Sequence, residues 1–551
     1  MHLGFGDGSR VGALVHTVLY LIGVPIFLNN HDIHLNEGNQ TSLETYSASS
    51  ENSNLPDHCY ESLGCFTIRY PERKGYNMTP NLLEEVSPTI CLYTKVHVLA
   101  CQVVENEAIT SEALAVANGR IFWIAHGYIE NGQRPWIKDL VNALLDYDSF
   151  ANVFVVDWSE ASKPPYNQAV ENVEMIAALC AHLMVMLQET YGLKVNETHF
   201  IGHSLGAQLG GYLGSWLQQE RGLQLGRISG LDPAQLYFQG MPIDARLDPS
   251  DSLFVDVTHT DAKPFLYGGE EVSFTTPNMR PISGLGTEEP CGHADFYPNS
   301  GKDQPGCKDG VYQAILQEEG SVINGTLPNF IFLLLDGCDH IRSHEYFTES
   351  VTSVCPFMAF SCESWEDFAS STCTNLSSRN RMGFHATKPT LSGNVTTSEA
   401  NNSSVIYYSQ TGPRAPFCRE HFRIVIQLAE ESKYRSTSEL HLVLENSSGE
   451  STVLNLGNID FTGKDLVRKY TVSGVYVGFP KTVILRPSSS NPLRWLMTRI
   501  TPPIDPDVVV DSITLRHLES MESEVTFCPD SKNFLSTTEQ NPSIIFTSDN
   551  C

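Results

Sequence analysis

Ser204 stands in the run Thr198-His-Phe-Ile-Gly202-His-Ser204-Leu-Gly206-Ala207, a Gly-x-Ser-x-Gly pattern. The residues before it are apolar, as a buried strand requires, and those after it have the small-residue composition of a helix packed closely on a sheet. A strand that turns sharply into a helix leaves no room for side chains two before and two after the serine. Glycine at 202 and 206 removes that conflict and lets the hydroxyl stand exposed above a sheet edge. The first turn of the helix directs its amides at the same place, where they would stabilise an oxyanion. Leu205 is the expected first donor. The strand Ile121-Phe-Trp-Ile-Ala125 leads into His126-Gly127-Tyr128, which places Tyr128 as the second. The competing reading is a tight turn with an incidental serine, and the flanking segments weigh against it.

A serine nucleophile needs an imidazole base, and the base needs a carboxylate to orient it. In a strand-turn-helix setting the chain order is serine, acid, histidine. Asp232 closes the strand-like Arg227-Ile-Ser-Gly-Leu231, 28 residues after Ser204. Asp256, inside Val255-Asp-Val-Thr258, competes for the role, but its alternating pattern suggests a strand interior. For the base, His340 lies late in the domain and two residues after Cys338. His259 and His293 are the rivals. His203 is expected to point the other way on the turn and serve in packing.

These residues need a scaffold. From Cys59 to about residue 390, apolar strands at 121–125, 153–157, 198–201 and 227–231 alternate with helical spacing, clearest over Val170–Tyr191. Such alternation predicts a mostly parallel sheet with helices on both faces. A polar linker over 391–404 follows. Beyond it the period becomes two, in His421–Leu428, Glu439–Leu444, Thr482–Leu485 and Val508–Leu515, which predicts an all-β sandwich over 405–551. The expected organisation is a signal peptide at 1–28, a flexible leader at 29–54, an α/β domain at 55–390 and the β tail.

The 551 residues carry 64 acidic and 35 basic side chains, for a formal charge of −29, which excludes nucleic acid as a partner. The apolar stretch 11–28 after Arg10 reads as a secretory signal. Nine Asn-x-Ser/Thr sequons (Asn39, Asn77, Asn196, Asn324, Asn375, Asn394, Asn401, Asn402, Asn446) and 14 cysteines agree with a secreted, extracellular protein. No Cys/His spacing suggests zinc.

Taken in order, several segments resemble the pancreatic lipase family of secreted triacylglycerol lipases and phospholipase A1 relatives. They are Cys59-Tyr-Glu-Ser-Leu-Gly-Cys65-Phe, Ala125-His-Gly-Tyr128, Val156-Asp-Trp158, Gly202–Ala207 and Gly230-Leu-Asp-Pro-Ala234. Arg246-Leu-Asp-Pro-Ser-Asp251, Phe254–Asp261, Gly292-His-Ala-Asp-Phe-Tyr-Pro-Asn299 and Cys338-Asp-His340 continue the match. The resemblance implies an α/β hydrolase fold, a PLAT-like tail and the triad Ser204, Asp232 and His340. It implies no cofactor for the chemistry. It also implies a structural calcium on Asp248, Asp251 and the carbonyls of Ile243 and Arg246, where oxygen ligands suit a hard cation. The bland alternative is a turn whose aspartates cap backbone amides.

Beside the resemblance, the cysteines suggest the pairs 59–65, 307–338, 362–373, 291–355 and 528–551, with Cys91, Cys101, Cys180 and Cys418 unassigned. A disulfide joining Cys307 and Cys338 would frame a lid over 308–337 that holds the greasy run Phe330–Leu335. The alternative is that this run is a core strand. The loop Thr260–Pro290 is also long, and in the resembled family short versions of both loops accompany phospholipase selectivity. Glyceride hydrolysis at a lipid droplet, lipoprotein or membrane surface is therefore the leading expectation, with a colipase-like protein as the partner class the resemblance raises. A phospholipase A1 and a non-catalytic lipid-binding relative are the alternatives.

Overall fold

The computed structural model describes residues 58–60, 63–66, 79–95, 102–103, 119–263, 284–307, 337–373, 378–390, 404–429, 437–460, 465–487, 508–520, 523–530, 534–535 and 543–551. The expected signal peptide, leader, most of the lid and linker, and the middle of the Thr260–Pro290 loop lie outside these residues.

The chain enters through a short hairpin, β1 (His58–Tyr60) and β2 (Gly64–Phe66), closed by the Cys59–Cys65 disulfide. Eleven strands then build one mixed sheet. They are β3 (Thr89–Tyr93), β4 (Gln102–Val103), β5 (Ile121–Ala125), β6 (Asn152–Asp157), β7 (Thr198–His203) and β8 (Leu225–Leu231). β9 (Ser252–Thr258), β10 (Ala294–Pro298), β11 (Met358–Ser361), β12 (Arg379–Arg381) and β13 (Val405–Ser409) complete it. Their order is β12-β11-β13-β10-β9-β8-β7-β5-β6-β3-β4. The segment from β6 through β5, β7, β8, β9 and β10 to β13 is parallel, and both margins are antiparallel.

Strand alternation sends side chains to two cores. On one face Trp123, Phe154, Phe200 and Ile228 meet α2 (Tyr166–Tyr191) and α3 (Leu205–Arg221). On the other, Phe122, Ile124, Val153, Val155 and Ile201 meet α1 (Pro135–Tyr147) and Phe347 and Val351 of α4 (Cys338–Thr352). The predicted sheet with helices on both faces is present. With 26 residues, α2 is long and apolar enough to cross a membrane, yet 67% of its most apolar window is buried in this fold, as a core helix requires.

The tail is antiparallel throughout. β14 (Glu420–Leu428), β15 (Thr437–Glu445), β16 (Ser451–Asp460), β17 (Val467–Gly474), β18 (Thr482–Pro487), β19 (Val508–His517), β20 (Val525–Pro529) and β22 (Ile544–Thr547) run in the order β16-β15-β18-β22-β20-β19-β14-β17. A short β21 (Phe534–Leu535) pairs with β19. The edge strands β16 and β17 approach each other, so the sheet nearly closes around a core that includes Phe422, Leu442, Ile513, Phe527 and Phe546. Leu518 packs with Phe360 and Phe368, and Arg379 donates to the carbonyls of Leu518 and Glu519, which seats the tail on the sheet margin.

Two expectations are corrected. Residues 405–409, expected to open the β tail, instead form β13 and fill the gap between β10 and β11. Burial explains this: Tyr407 lies inside the same core as Phe296 and Ala359. The expected Cys291–Cys355 pair is absent, because Cys355 joins Cys418 and Cys291 is a buried free thiol. The pairs 307–338, 362–373 and 528–551 form as expected, Cys91 is disulfide-bonded, and Cys180 is free and buried in α2. Burial pushes the Cys180 thiol up to about 12 and Cys291 well above its usual range, so both are inert as thiolates. Peptide mapping without reductant should recover a 355–418 link, and Cys180 and Cys291 should alkylate only after denaturation; a 291–355 peptide would contradict this arrangement.

Candidate active site

Ser204 sits between β7 and α3 with φ 56° and ψ −119°. A non-glycine residue held there costs on the order of 1–3 kcal/mol, so its surroundings must impose it. They do so with backbone: Ser204 N–H donates to Leu231 O at 3.0 Å, and Ser204 O accepts from Ala207 and Ala234. The two glycines act as the pattern requires. A Cβ on Gly202 would stand 2.1 Å from Gly206 O, and one on Gly206 would stand 2.4 Å from Ala125 O. Leu205 is the first residue of α3.

Asp232 leaves β8 and is fully buried. Its Oδ1 accepts the N–H groups of Thr260 (2.8 Å) and Asp261 (3.2 Å), which leaves Oδ2 to meet His340 Nδ1 at 2.6 Å. Gly286 closes over this carboxylate, since a Cβ there would lie 2.2 Å from Oδ1. His340 occupies the first turn of α4, directly after the disulfide at Cys338. Burial and the neighbouring His203 hold its pKa below the usual histidine value, while Asp232 and then Glu130 oppose them. The ring is therefore neutral at pH 7. With its proton on Nδ1 facing Asp232, Nε2 is left to accept one.

Asp256 and the two rival histidines have other work. Asp256 Oδ1 binds Arg227 Nε at 2.7 Å and Ser229 Oγ at 2.9 Å inside the sheet. His259 bridges Thr287 O and Asp295, and His293 Nδ1 accepts the N–H of Val255. His203 differs from expectation. Its ring centroid lies 4.5 Å from that of His340, so it packs against the candidate base rather than away from it.

The loop after β5 is tied down at each step. His126 Nδ1 contacts Gly127 O at 2.9 Å, and its Nε2 accepts from Trp158 N–H. Trp158 Nε1 donates to His126 O, Gly127 N–H to Glu130 Oε2, and Ile129 N–H to Ser162 O. Tyr128, the expected second donor, lies inside this frame with its ring edge-on to Tyr166. A trans peptide sets C=O and N–H on opposite sides, so the bond from His126 to the Gly127 carbonyl also fixes the heading of the Tyr128 amide.

Two groups near the site escaped the sequence reading. Glu130 is buried at the end of the loop. Asp261 is pushed up to about 7 by burial and by the charge of Asp232, with Lys263 Nζ 3.3 Å away and bonded also to Asp339 at 2.6 Å. No motif marks Glu130, and the matched segment that ends at Asp261 assigns that residue no role; only the fold brings them to the dyad. In the 243–251 loop, Asp248 and Asp251 are both buried, and Asp251 Oδ2 accepts the N–H of Asp248. Burial and the charge of Asp248 raise Asp251 well above the carboxylate range.

A family model for Lipase matches residues 56–417. The chain is 33% identical over 378 residues to the pancreatic triacylglycerol lipase of Equus caballus, covering 67% of this chain and 75% of the relative. It is 29% identical over 411 residues to pancreatic lipase-related protein 2 of Myocastor coypus, covering 73% and 80%. It is also 32% identical over 405 residues to an inactive pancreatic lipase-related protein 1 of Mus musculus, covering 71% and 77%. With the matched region running through every strand of the mixed sheet, the chain belongs to the Lipase family.

Proposed function

We propose that this chain is a secreted serine esterase that cleaves the ester bonds of glycerides at a lipid surface. Family membership supports lipase-type ester hydrolysis in general, and the inactive relative shows that membership alone is not activity. The observations that carry the reading are the 2.6 Å bond between Asp232 and His340 and a serine held in a strained turn. In the proposed course His340 Nε2 takes the proton as Ser204 Oγ attacks the ester carbonyl, and Asp232 stabilises the imidazolium that forms. The amides of Tyr128 and Leu205 receive the oxyanion. His340 then protonates the departing alcohol, and water attacks the acyl-serine to free the fatty acid. The length of the 260–290 and 308–337 segments supports glycerides over phospholipids.

Secretion is supported by the five disulfides among the described residues. The tail is read as PLAT-like from its antiparallel strands, and a colipase-like partner rests on family resemblance. The 243–251 loop is read as a site for a hard cation: burial and the charge of Asp248 raise the cost of ionising Asp251, and a divalent ion would relieve it. Asp248, Asp251 and the carbonyls of Ile243 and Arg246 would hold it, as a brace remote from the proton transfers.

Four outcomes are expected. Ser204→Ala should cut fatty-acid release from triolein emulsions by at least about 10³-fold without lowering the melting temperature. Triolein should be cleaved faster than phosphatidylcholine; the reverse ranking selects the phospholipase reading, and no difference between wild type and Ser204→Ala ends the catalytic one. The acid limb of kcat/KM on a soluble ester should fall below pH 6.5, because His340 stays neutral there, and Asp232→Asn should move it lower still while reducing kcat about 10⁴-fold. Finally, Asp251 has a folded pKa above its unfolded value, so its contribution to stability is full below about pH 4 and lost as the pH rises. Calcium should therefore raise the melting temperature at pH 8 more than at pH 5, and Asp251→Asn should abolish the response.

A further inference from the structure

We propose that Glu130 is a positioning residue for ester cleavage, a buried anion that holds the oxyanion loop against the serine turn and the base; the claim rests on the esterase reading above. Glu130 is 5% exposed, and its two oxygens serve different donors. Oε2 accepts the N–H of Gly127 at 2.7 Å and lies 3.3 Å from His203 Nδ1. Oε1 accepts Trp136 Nε1–H at 2.9 Å, with Arg134 Nε 4.0 Å away. Burial opposes this charge, but the bond and charge of His203, the through-space effect of His126 and the Gly127 N–H outweigh it and hold the group ionised, well below the usual carboxylate range.

The geometry gives the carboxylate its purpose. Gly127 packs directly on the nucleophile, since a Cβ there would lie 2.9 Å from Ser204 Cβ and 3.2 Å from Glu130 Oε2. Glu130 fixes the peptide entering Gly127, and His126 fixes the one leaving it, so the Tyr128 amide is aimed by two side chains at once. Through His203 the same carboxylate reaches the ring packed, tilted, against His340 at 4.5 Å, while Trp136 stacks on His344 at 4.7 Å. Ile129, between Tyr128 and Glu130, has φ 56°, a strained turn that bends Glu130 back toward Gly127. Oxyanion donors and base thus share one buried anion.

The chemistry of the amide isostere makes this testable. Glutamine offers one oxygen and one NH₂, so it accepts from Gly127 or from Trp136 but faces the other N–H with its own. Removing the Trp136 donor with Trp136→Phe frees the glutamine to turn its oxygen to Gly127. On soluble p-nitrophenyl butyrate, E130Q should lower kcat about 10- to 100-fold with KM within about threefold, the size of a misaimed donor. Inactivation by a p-nitrophenyl phosphonate should slow by a similar factor. The double variant E130Q/W136F should regain most of the loss relative to W136F alone. A merely structural Glu130 would not give that recovery, because two substitutions would destabilise more than one. The proposal is overturned if E130Q keeps kcat within about threefold, or if E130Q/W136F is no faster than E130Q. Wild type no faster than Ser204→Ala would mark failure of the esterase reading instead. Amide hydrogen exchange at Gly127 then decides for Glu130: faster in E130Q and restored in the double variant supports it, and unchanged exchange overturns it.

Discussion

The carboxylate of Asp232 is fully buried and lies within hydrogen-bond distance of a residue 108 positions later in the chain. A carboxylate in such a place is tolerated only when both of its oxygens find donors. Two backbone N–H groups from the segment after β9 take one oxygen, and one imidazole takes the other. The site therefore depends on β8, β9 and α4 arriving together. If any of them is displaced, the chain is left with an unpaired charge in its interior.

That arrangement places unlike demands on neighbouring segments. At Ser204 and Ile129 the backbone is driven into positive φ, and at Gly202 and Gly206 side chains are excluded so that strand, helix and loop can touch. Around them, two cores of branched and aromatic residues grip both faces of the sheet. The local strain of a few kcal/mol is small against such burial. The imidazoles of 203, 340 and 344 pack together beside Trp136, His344 stacked on the indole and His203 tilted against His340, with Glu130 bonded to His203 and Asp232 to His340.

Much of this was legible in the chain. The runs at 121–125, 153–157, 198–201 and 227–231 became strands almost residue for residue, because parallel strands buried on both faces read as unbroken apolar runs. Asp232 was preferred over Asp256 because it ends its strand, and the structure does commit Asp256 to Arg227 and Ser229. What stayed hidden depended on sequence-distant contacts. Glu130 and Lys263 carry no pattern, the segment ending at Asp261 gives that residue no role, and the place of Val405–Ser409 was obscured by the polar linker before it. Its alternating composition suits an antiparallel tail as well as the sheet it joins. The expected 291–355 pairing failed for the same reason, since spacing says nothing about which cysteines the sheet margin brings together.

The position of β13 bears on how the molecule is made. The mixed sheet lacks an interior strand until residues 405–409 arrive, and β11 and β12 have no partner joining them to the rest of the sheet before then. During synthesis the head must therefore wait, with the β10 edge unpaired, until the ribosome has released the linker and the first residues beyond it. Any fragment cut at the apparent boundary would expose that edge permanently and invite association with other chains.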